Sequence, residues 1–281
     1  MKVSEALKYV REVLSKIEDK EYARWEALLI ISHLLNISPL NVYLYSDKEI
    51  PEKSFLEILE ERKKKKPLAY ILKNTYFWGR KFYVEEGVLI PRQDTEVLIS
   101  VFLKLPIEKG RVLELGVGAG TISITLLLER KKLKVFAVDI NPKAIEITRK
   151  NAKAYKVEKR LFLIKGDWFN PFLEKPLFNV IVSNPPYISS EEWETLDEEV
   201  KLFEPKSALV SGKEGTEFQE KLLKFADKYL LEGGFLIFEM GYNQGKRIRE
   251  LLNLYQWKFE IFKDLRGYER VVLAWKEKEN T

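Results

Sequence analysis

Apolar positions along this chain follow two rhythms, one after the other. Over the first 72 residues they recur at helical spacing, as Val3, Leu7, Val10, Leu14 and Ile17 and then as Trp25, Leu28, Leu29, Leu34 and Leu35 ahead of Asn36 and Pro39. This is the repeat of amphipathic helices. A third helix is expected over residues 52–65. From residue 91 onward short apolar runs alternate with helical stretches. Strands are expected near 111–115, 134–139, 161–166, 179–183 and 235–240, and helices near 121–130, 142–154, 217–231 and 244–254. Such alternation predicts an α/β fold with a parallel sheet and helices on both faces. Between the two regions, Phe77-Trp78-Gly79-Arg80-Lys81-Phe82-Tyr83-Val84 alternates around a glycine and reads as a hairpin. Residues 259–262 and 270–275, joined by a loop containing Gly267, read as a closing hairpin. The expected organisation is a helical domain over 1–72, a β-hairpin linker over 73–90 and an α/β domain over 91–281.

The chemistry-bearing residues gather where these strands should end. Val112-Leu113 runs into Glu114-Leu115-Gly116-Val117-Gly118-Ala119-Gly120, a glycine-rich turn followed by the helical stretch from Thr121. Glycines there permit a tight turn and let a ligand lie against the backbone. The dinucleotide fingerprint needs its third glycine one position later, where Thr121 stands. A G-x-G-x-G turn preceded by an acid therefore fits S-adenosylmethionine better than a nicotinamide cofactor. The next strand ends in Asp139, which can accept both hydroxyls of a ribose. The third ends in Gly166-Asp167-Trp168, a polar group beside an aromatic edge. The fourth runs into Asn184-Pro185-Pro186-Tyr187. Each proline fixes its own φ and holds the preceding residue extended, so the Asn184 side-chain oxygen and a backbone carbonyl can point the same way. Two adjacent acceptors suit a planar NH2 with two hydrogens to place, and Tyr187 offers a flat face for the group that carries it. Asn-Pro and Pro-Pro are also common turn punctuation, and that plainer reading stands beside the functional one. Open α/β sheets place ligands at the carboxyl edge, where these four elements converge.

On those residues the chain resembles an S-adenosylmethionine-dependent methyltransferase acting on an amino group, and more closely the release-factor glutamine methyltransferases of the HemK/PrmC family. Further landmarks carry the closer likeness. They are Gly87-Val88-Leu89-Ile90-Pro91-Arg92-Gln93-Asp94-Thr95-Glu96, with Gln93 where a second proline is usual, Glu204-Pro205 with Ala208-Leu209, Gly233-Gly234 through Glu239-Met240-Gly241, and Asp264-Leu265 with Gly267 and Arg270. The resemblance covers residues 75–281 well and the helical part only in length and character. It implies a seven-stranded Rossmann-like sheet with the last strand inserted antiparallel. It also implies methylation of the glutamine side-chain amide in the Gly-Gly-Gln loop of class I peptide-chain release factors, the expected protein partners. Site roles follow on that reading. Asn184, Pro185 and Tyr187 would be catalytic and would bind substrate together with Pro186. Glu114, Gly116, Val117, Gly118, Ala119, Gly120, Asp139, Asp167, Trp168 and Asn184 would bind cofactor, with Glu114 on its amino group, Asp139 on its ribose and Trp168 on its adenine.

Composition narrows the alternatives. The chain of 281 residues has no cysteine and one histidine, which removes disulfides, thiolate metal sites and a histidine-built zinc site, so no metal is expected. No apolar stretch approaches about 20 residues, and Met1-Lys2-Val3-Ser4-Glu5 is no signal peptide, so a cytoplasmic protein without membrane partners is expected. Abundant Lys and Glu resemble a thermophile's composition, which weakens any inference from the net charge of +5. Lys63-Lys64-Lys65-Lys66 reads as a solvated helix end or as a nucleic-acid contact. His33, inside a helix, reads as a structural histidine. Adenine N6 is also a planar NH2, so an adenine-N6 methyltransferase of RNA or DNA stays open as the alternative function. A noncatalytic cofactor-binding subunit is a third reading, and it sits poorly with an intact glycine turn and an intact Asn-Pro-Pro-Tyr.

Overall fold

The computed structural model describes residues 1–16 and 19–277 and divides into two compact units, Met1–Asn74 and Thr75–Thr281. In the first unit the helical rhythm becomes α1 (Val3–Leu14), α2 (Lys20–Leu35), a 3-10 turn (Pro39–Tyr45), α3 (Glu52–Lys63) and α4 (Leu68–Leu72). Val3, Leu7, Val10 and Leu14 pack with Ala23, Ala27, Ile30, Ile31, Phe55 and Leu59 into one core. Ile17 lies outside the described residues. Trp25, expected on the buried face of α2, is exposed, and the small side chains Ala23 and Ala27 face the core in its place. The helix starts at Asp19, whose carboxylate accepts the N–H groups of Glu21 and Tyr22, and stops at Asn36 in the left-handed region.

Helix α3 ends at Lys63, two residues sooner than expected, because Lys65 takes a positive φ of 62° ahead of Pro67. Its fully buried Arg62 donates from Nε to both oxygens of buried Glu26, at 3.1 and 3.0 Å. Of the lysine run, Lys63 bridges Glu60, and Lys64 and Lys66 bridge Glu61. The acids of the preceding turn thus offset part of its charge. His33 lies 3.4 Å from the Asn74 side-chain amide.

From the last residue of the first unit the chain enters a hairpin of β1 (Asn74–Phe77) and β2 (Arg80–Tyr83), turned by Trp78 and Gly79, both at positive φ. There follow α5 (Glu96–Lys104), β3 (Lys109–Leu115), α6 (Thr121–Glu129), β4 (Lys132–Asp139), α7 (Pro142–Ala154), β5 (Leu161–Lys165) and β6 (Phe178–Ser183). After β6 come the short β7 (Ile188–Ser189), α8 (Ser190–Thr195), α9 (Glu198–Phe203) and β8 (Val210–Gly212). The chain then completes α10 (Glu217–Phe225), β9 (Leu230–Glu239), α11 (Gly245–Leu254), β10 (Lys258–Lys263) and β11 (Glu269–Trp275).

Seven of these strands form one sheet in the order β10-β11-β9-β6-β3-β4-β5. Only β11 runs against the rest, antiparallel to β9 and β10. This is the Rossmann-like sheet with one inverted strand that the resemblance implied. Successive residues of a strand face opposite ways. Val112, Val180 and Val182 accordingly enter one core layer, and Leu113, Leu115 and Ile181 the other.

Besides the short β7, α8, α9 and β8, none of which the apolar pattern marked, three elements differ from expectation. Helix α5 was not foreseen, because its unbroken apolar run Val97-Leu98-Ile99 lacks a clear helical stripe. The helix expected at 217–231 stops at Phe225 and gives way to a 3-10 turn, Ala226–Tyr229. Strand β9 then begins at Leu230, since Gly233 at φ 70° and Gly234, where a Cβ would lie 2.8 Å from the Leu231 carbonyl oxygen, let the strand run on through the bend. No single helix among the described residues is long and apolar enough to cross a membrane.

Candidate active site

Parallel pairing of β5, β4, β3 and β6 brings their carboxyl ends to one edge, and the backbone ties those ends together. The N–H groups of Gly116 and Val117 donate to the Val138 carbonyl at 2.9 and 3.1 Å, so the glycine turn leans on the end of β4. Asp139 locks it there. One of its carboxylate oxygens accepts the Gly118 N–H and the other the Asn141 N–H, each at 2.9 Å, while its carbonyl takes the Gly166 N–H from the end of β5. Gly116 and Gly118 sit at φ 78° and 55°. A Cβ on Gly116 would meet nothing within 4 Å, and one on Gly118 only Val88 at 4.0 Å, so the backbone here faces open space. Gly120, also at positive φ, serves packing instead, because a Cβ would lie 2.6 Å from Thr148 of α7.

Glu114, beneath the turn, is buried, and one carboxylate oxygen accepts both the backbone N–H and the hydroxyl of Ser123. Burial pushes its carboxyl up to about 8, against the opposing pull of the Ser123 hydrogen bonds. Because this folded value lies above the ordinary one, the folded state holds the proton more tightly. The associated stability is present at acid pH and is lost as pH rises through about 8. Glu114→Gln should therefore narrow the drop in melting temperature between pH 5 and pH 9, read by calorimetry at both. An unchanged drop would contradict the assignment.

An open glycine backbone beside the Asp139 carboxylate fits a ligand that carries a ribose diol, and a neighbouring ammonium would draw the buried Glu114 carboxyl toward its charged form. The residues present thus match the donor and acceptor pattern of S-adenosylmethionine. Asp167 and Trp168 lie at the same edge but reach toward α10. Trp168 stacks on Phe218 with ring centres 4.9 Å apart and planes 8° from parallel, and Lys221 stands 3.8 Å from Asp167. One face of Trp168 is therefore already covered.

The Asn-Pro-Pro-Tyr segment leaves β6 beside the turn, with the Ser183 hydroxyl donating to the Leu115 carbonyl at 2.8 Å. Asn184, Pro185, Pro186 and Tyr187 line a small pocket closed by Leu89, Arg92, Ala208 and Leu209. Backbone bonds hold the exit, since Tyr187 and Ile188 both donate to the Leu209 carbonyl and the Gln244 side chain donates to the Tyr187 carbonyl at 2.7 Å. Arg92 is fixed by buried Glu204 at 2.6 Å, and the same carboxylate accepts the Ile90 N–H. A wider cleft of about 890 Å³, around Gly233, Gly234 and Trp257, lies at the amino end of β9 and holds none of these motifs.

Behind the motif runs a chain of polar groups to which the sequence alone assigned no role. The Asn184 side-chain nitrogen donates to the Thr95 hydroxyl at 3.0 Å, Thr95 donates to Glu239 at 2.7 Å, and the Tyr187 hydroxyl donates to the other Glu239 oxygen at 3.0 Å. Glu239 is fully buried at the end of β9. Burial lifts its carboxyl to about 7, offset by these two hydroxyls and by the charge of Arg270. Burial and the neighbouring Glu239 also push the Tyr187 phenol strongly upward, so it remains a donor and is no base at neutral pH. Thr95 and Glu239 stood in segments noted only for their likeness to a family. Glu239, an acid closing the apolar run Phe235-Leu236-Ile237-Phe238, was the available signal, and Thr95, inside the polar run Arg92-Gln93-Asp94-Thr95-Glu96, gave none.

Comparison with known proteins follows the same division. Residues 92–212 match the family model of the methyltransferase small domain, and residues 5–72 match that of the PrmC N-terminal domain. The release factor glutamine methyltransferase of Aquifex aeolicus is 46% identical over 270 residues, covering 94% of this chain and 95% of its own length. The protein of the same name from Thermodesulfovibrio yellowstonii is 34% identical, covering 97% of this chain and 99% of its own length. Among solved structures, a methyltransferase from Pyrococcus furiosus superposes with a TM-score of 0.52 at 22% identity, covering 70% of this chain and 88% of its own. The ribosomal protein L11 methylase of Lactobacillus delbrueckii subsp. bulgaricus gives 0.51 at 18% identity, covering 69% and 84%. At such identities the structures speak for the fold alone.

Proposed function

Since the chain belongs to the release factor glutamine methyltransferases, which are S-adenosylmethionine-dependent enzymes, we propose that it methylates a release-factor glutamine, at the side-chain N5 of the Gly-Gly-Gln motif in class I factors. The observation that carries this reading is the polarity of Asn184. Its NH2 is donated to Thr95, so its oxygen is left to accept from an incoming NH2 group. An amide nitrogen is a poor nucleophile, because its lone pair is delocalised by the resonance that gives a peptide bond a barrier of about 18–20 kcal/mol. No side chain near the pocket is basic enough to deprotonate it. The protein's task is therefore positioning. Asn184 and the Pro185 carbonyl draw on the two N–H bonds while Tyr187 supports the plane of the amide. Orientation of this kind supplies up to about 7–11 kcal/mol of a barrier, and hydrogen bonds that tighten as positive charge grows on nitrogen add to it.

The cofactor supplies an electrophilic methyl group on a sulfonium. On this reading Glu114 takes its amino group and Asp139 its ribose, Trp168 lies against adenine, and the backbone from Gly116 to Gly120, with Val117 and Ala119, forms the floor. Asp139→Ala removes the ribose acceptor and the Gly118 clamp together, so the cofactor dissociation constant should rise about 5- to 150-fold, the equivalent of about 1–3 kcal/mol. An unchanged constant in a titration of the folded variant would remove Asp139 from the site. Met1–Asn74, a compact unit that carries none of these motifs, is assigned to recognition of the protein substrate. Incubation with labelled cofactor and separate pools of protein, DNA and RNA tests the substrate class. Label confined to RNA or DNA would favour the adenine-N6 alternative.

A further inference from the structure

The polar chain behind Asn184 has a direction, and that direction follows from chemistry alone. A carboxylate only accepts hydrogen bonds. Thr95 has one hydroxyl proton, and at 2.7 Å from Glu239 that proton is committed to the carboxylate. Toward Asn184, 3.0 Å away on the other side, the Thr95 oxygen can then only accept. Asn184 must therefore turn its NH2 inward and its carbonyl oxygen toward the pocket. Accepting at its second oxygen from Tyr187, the same carboxylate pins the ring that closes the motif.

We infer that Glu239, acting through Thr95, is a positioning residue that dictates which end of the Asn184 amide faces the acceptor nitrogen. The inference deepens the proposed methyl transfer and rests on that reading for its consequence in turnover. Neither residue lines the pocket, so each acts through Asn184 or Tyr187, which do. Burial gives the device its strength, because Glu239 and Thr95 are almost wholly removed from water and no solvent competes for either hydroxyl.

Protonation would reverse the chain. A neutral Glu239 can donate to Thr95, freeing the Thr95 proton to seek the Asn184 oxygen. The amide then gains by turning over, and the pocket would present a donor to a substrate that itself needs acceptors. The groups facing Glu239 are the hydroxyls of Thr95 and Tyr187, Arg270 of β11, which favours the charged form, and Asp94, which opposes it. Asp264 in turn pairs with Arg270 at 3.0 Å. The carboxyl titrates at about 7, so the working direction should be lost as pH falls through neutrality.

The test has one arm that needs no substrate. The side-chain NH2 resonances of Asn184, assigned by comparison with Asn184→Ala in the full-length protein, should shift with a midpoint near pH 7 and stand still in Glu239→Gln. Resonances static in the wild type between pH 5.5 and 8.5 would overturn the inference. In the second arm, turnover is measured at saturating cofactor with an intact release factor. Thr95→Val, of nearly equal shape, should lower kcat about 10- to 100-fold, the scale of one charge-assisted hydrogen bond, and Thr95→Ser should recover most of it. Glu239→Gln should lose the acid limb of the pH profile. The variants of Thr95 stand as the second route where Glu239→Gln fails to fold. A wild type inactive on the factor counts against the substrate reading, while the spectroscopic arm still decides the device. An active wild type matched by Thr95→Val would overturn the positioning role.

Discussion

Asn184→Ala is expected to lower turnover by about 10²–10³ while leaving cofactor affinity nearly unchanged, the signature of losing a partner that matters most in the transition state. The asymmetry comes from where the side chain points. Its nitrogen is held by Thr95 inside the fold and its oxygen faces the pocket, whereas the glycine turn and Asp139 are tied to each other without it. Removing the amide takes one donor from the Thr95 oxygen but leaves its hydroxyl proton on Glu239, and so costs little in folding. Calorimetric titration with cofactor and single-turnover rates on the same preparation give the two quantities. Lost binding with surviving turnover at saturation would show that Asn184 serves the cofactor and not the acceptor.

Removal of residues 1–72 should preserve cofactor binding and raise KM for an intact release factor at least about tenfold, equivalent to 1.4 kcal/mol of lost interface. A short glutamine loop offers little area, and specific protein interfaces bury about 1,200–2,000 Å² in total, so contacts away from the catalytic pocket are required. The first unit has its own core and the second its own sheet, which makes the separation physically reasonable. The ion pairs of Lys63, Lys64 and Lys66 with neighbouring acids argue that reversal of that run matters less than loss of the unit. Steady-state kinetics on the intact factor and on a short Gly-Gly-Gln peptide separate the effects. A truncated protein with the full-length KM on the intact factor would remove the recognition role.

Much of the sheet was legible because its strands are short apolar runs with distinct ends. Each of β3, β4, β5 and β6 begins or ends within a few residues of its expected bounds. The inversion of the last strand came from family likeness, and the full order of the strands came only from the structure, since periodicity carries no information about which strands are neighbours. At the candidate site, what is local in sequence was visible, namely the glycine turn, the acids beside it and the Asn-Pro-Pro-Tyr. What depends on distant residues was hidden. Thr95 and Glu239 are 144 positions apart, and Asn184 meets Thr95 across 89. No pattern along the chain announces such a pair. The stacking of Trp168 on Phe218 belongs to the same class, and it gives one face of that ring a partner within the protein.

The most direct test of the account is mass spectrometry of a class I release factor after incubation with this protein and S-adenosylmethionine. One added methyl group is predicted, on the side chain of the glutamine in the Gly-Gly-Gln loop, absent from the reaction with Asn184→Ala. An unmodified glutamine beside methylated nucleic acid in the same reaction would contradict it.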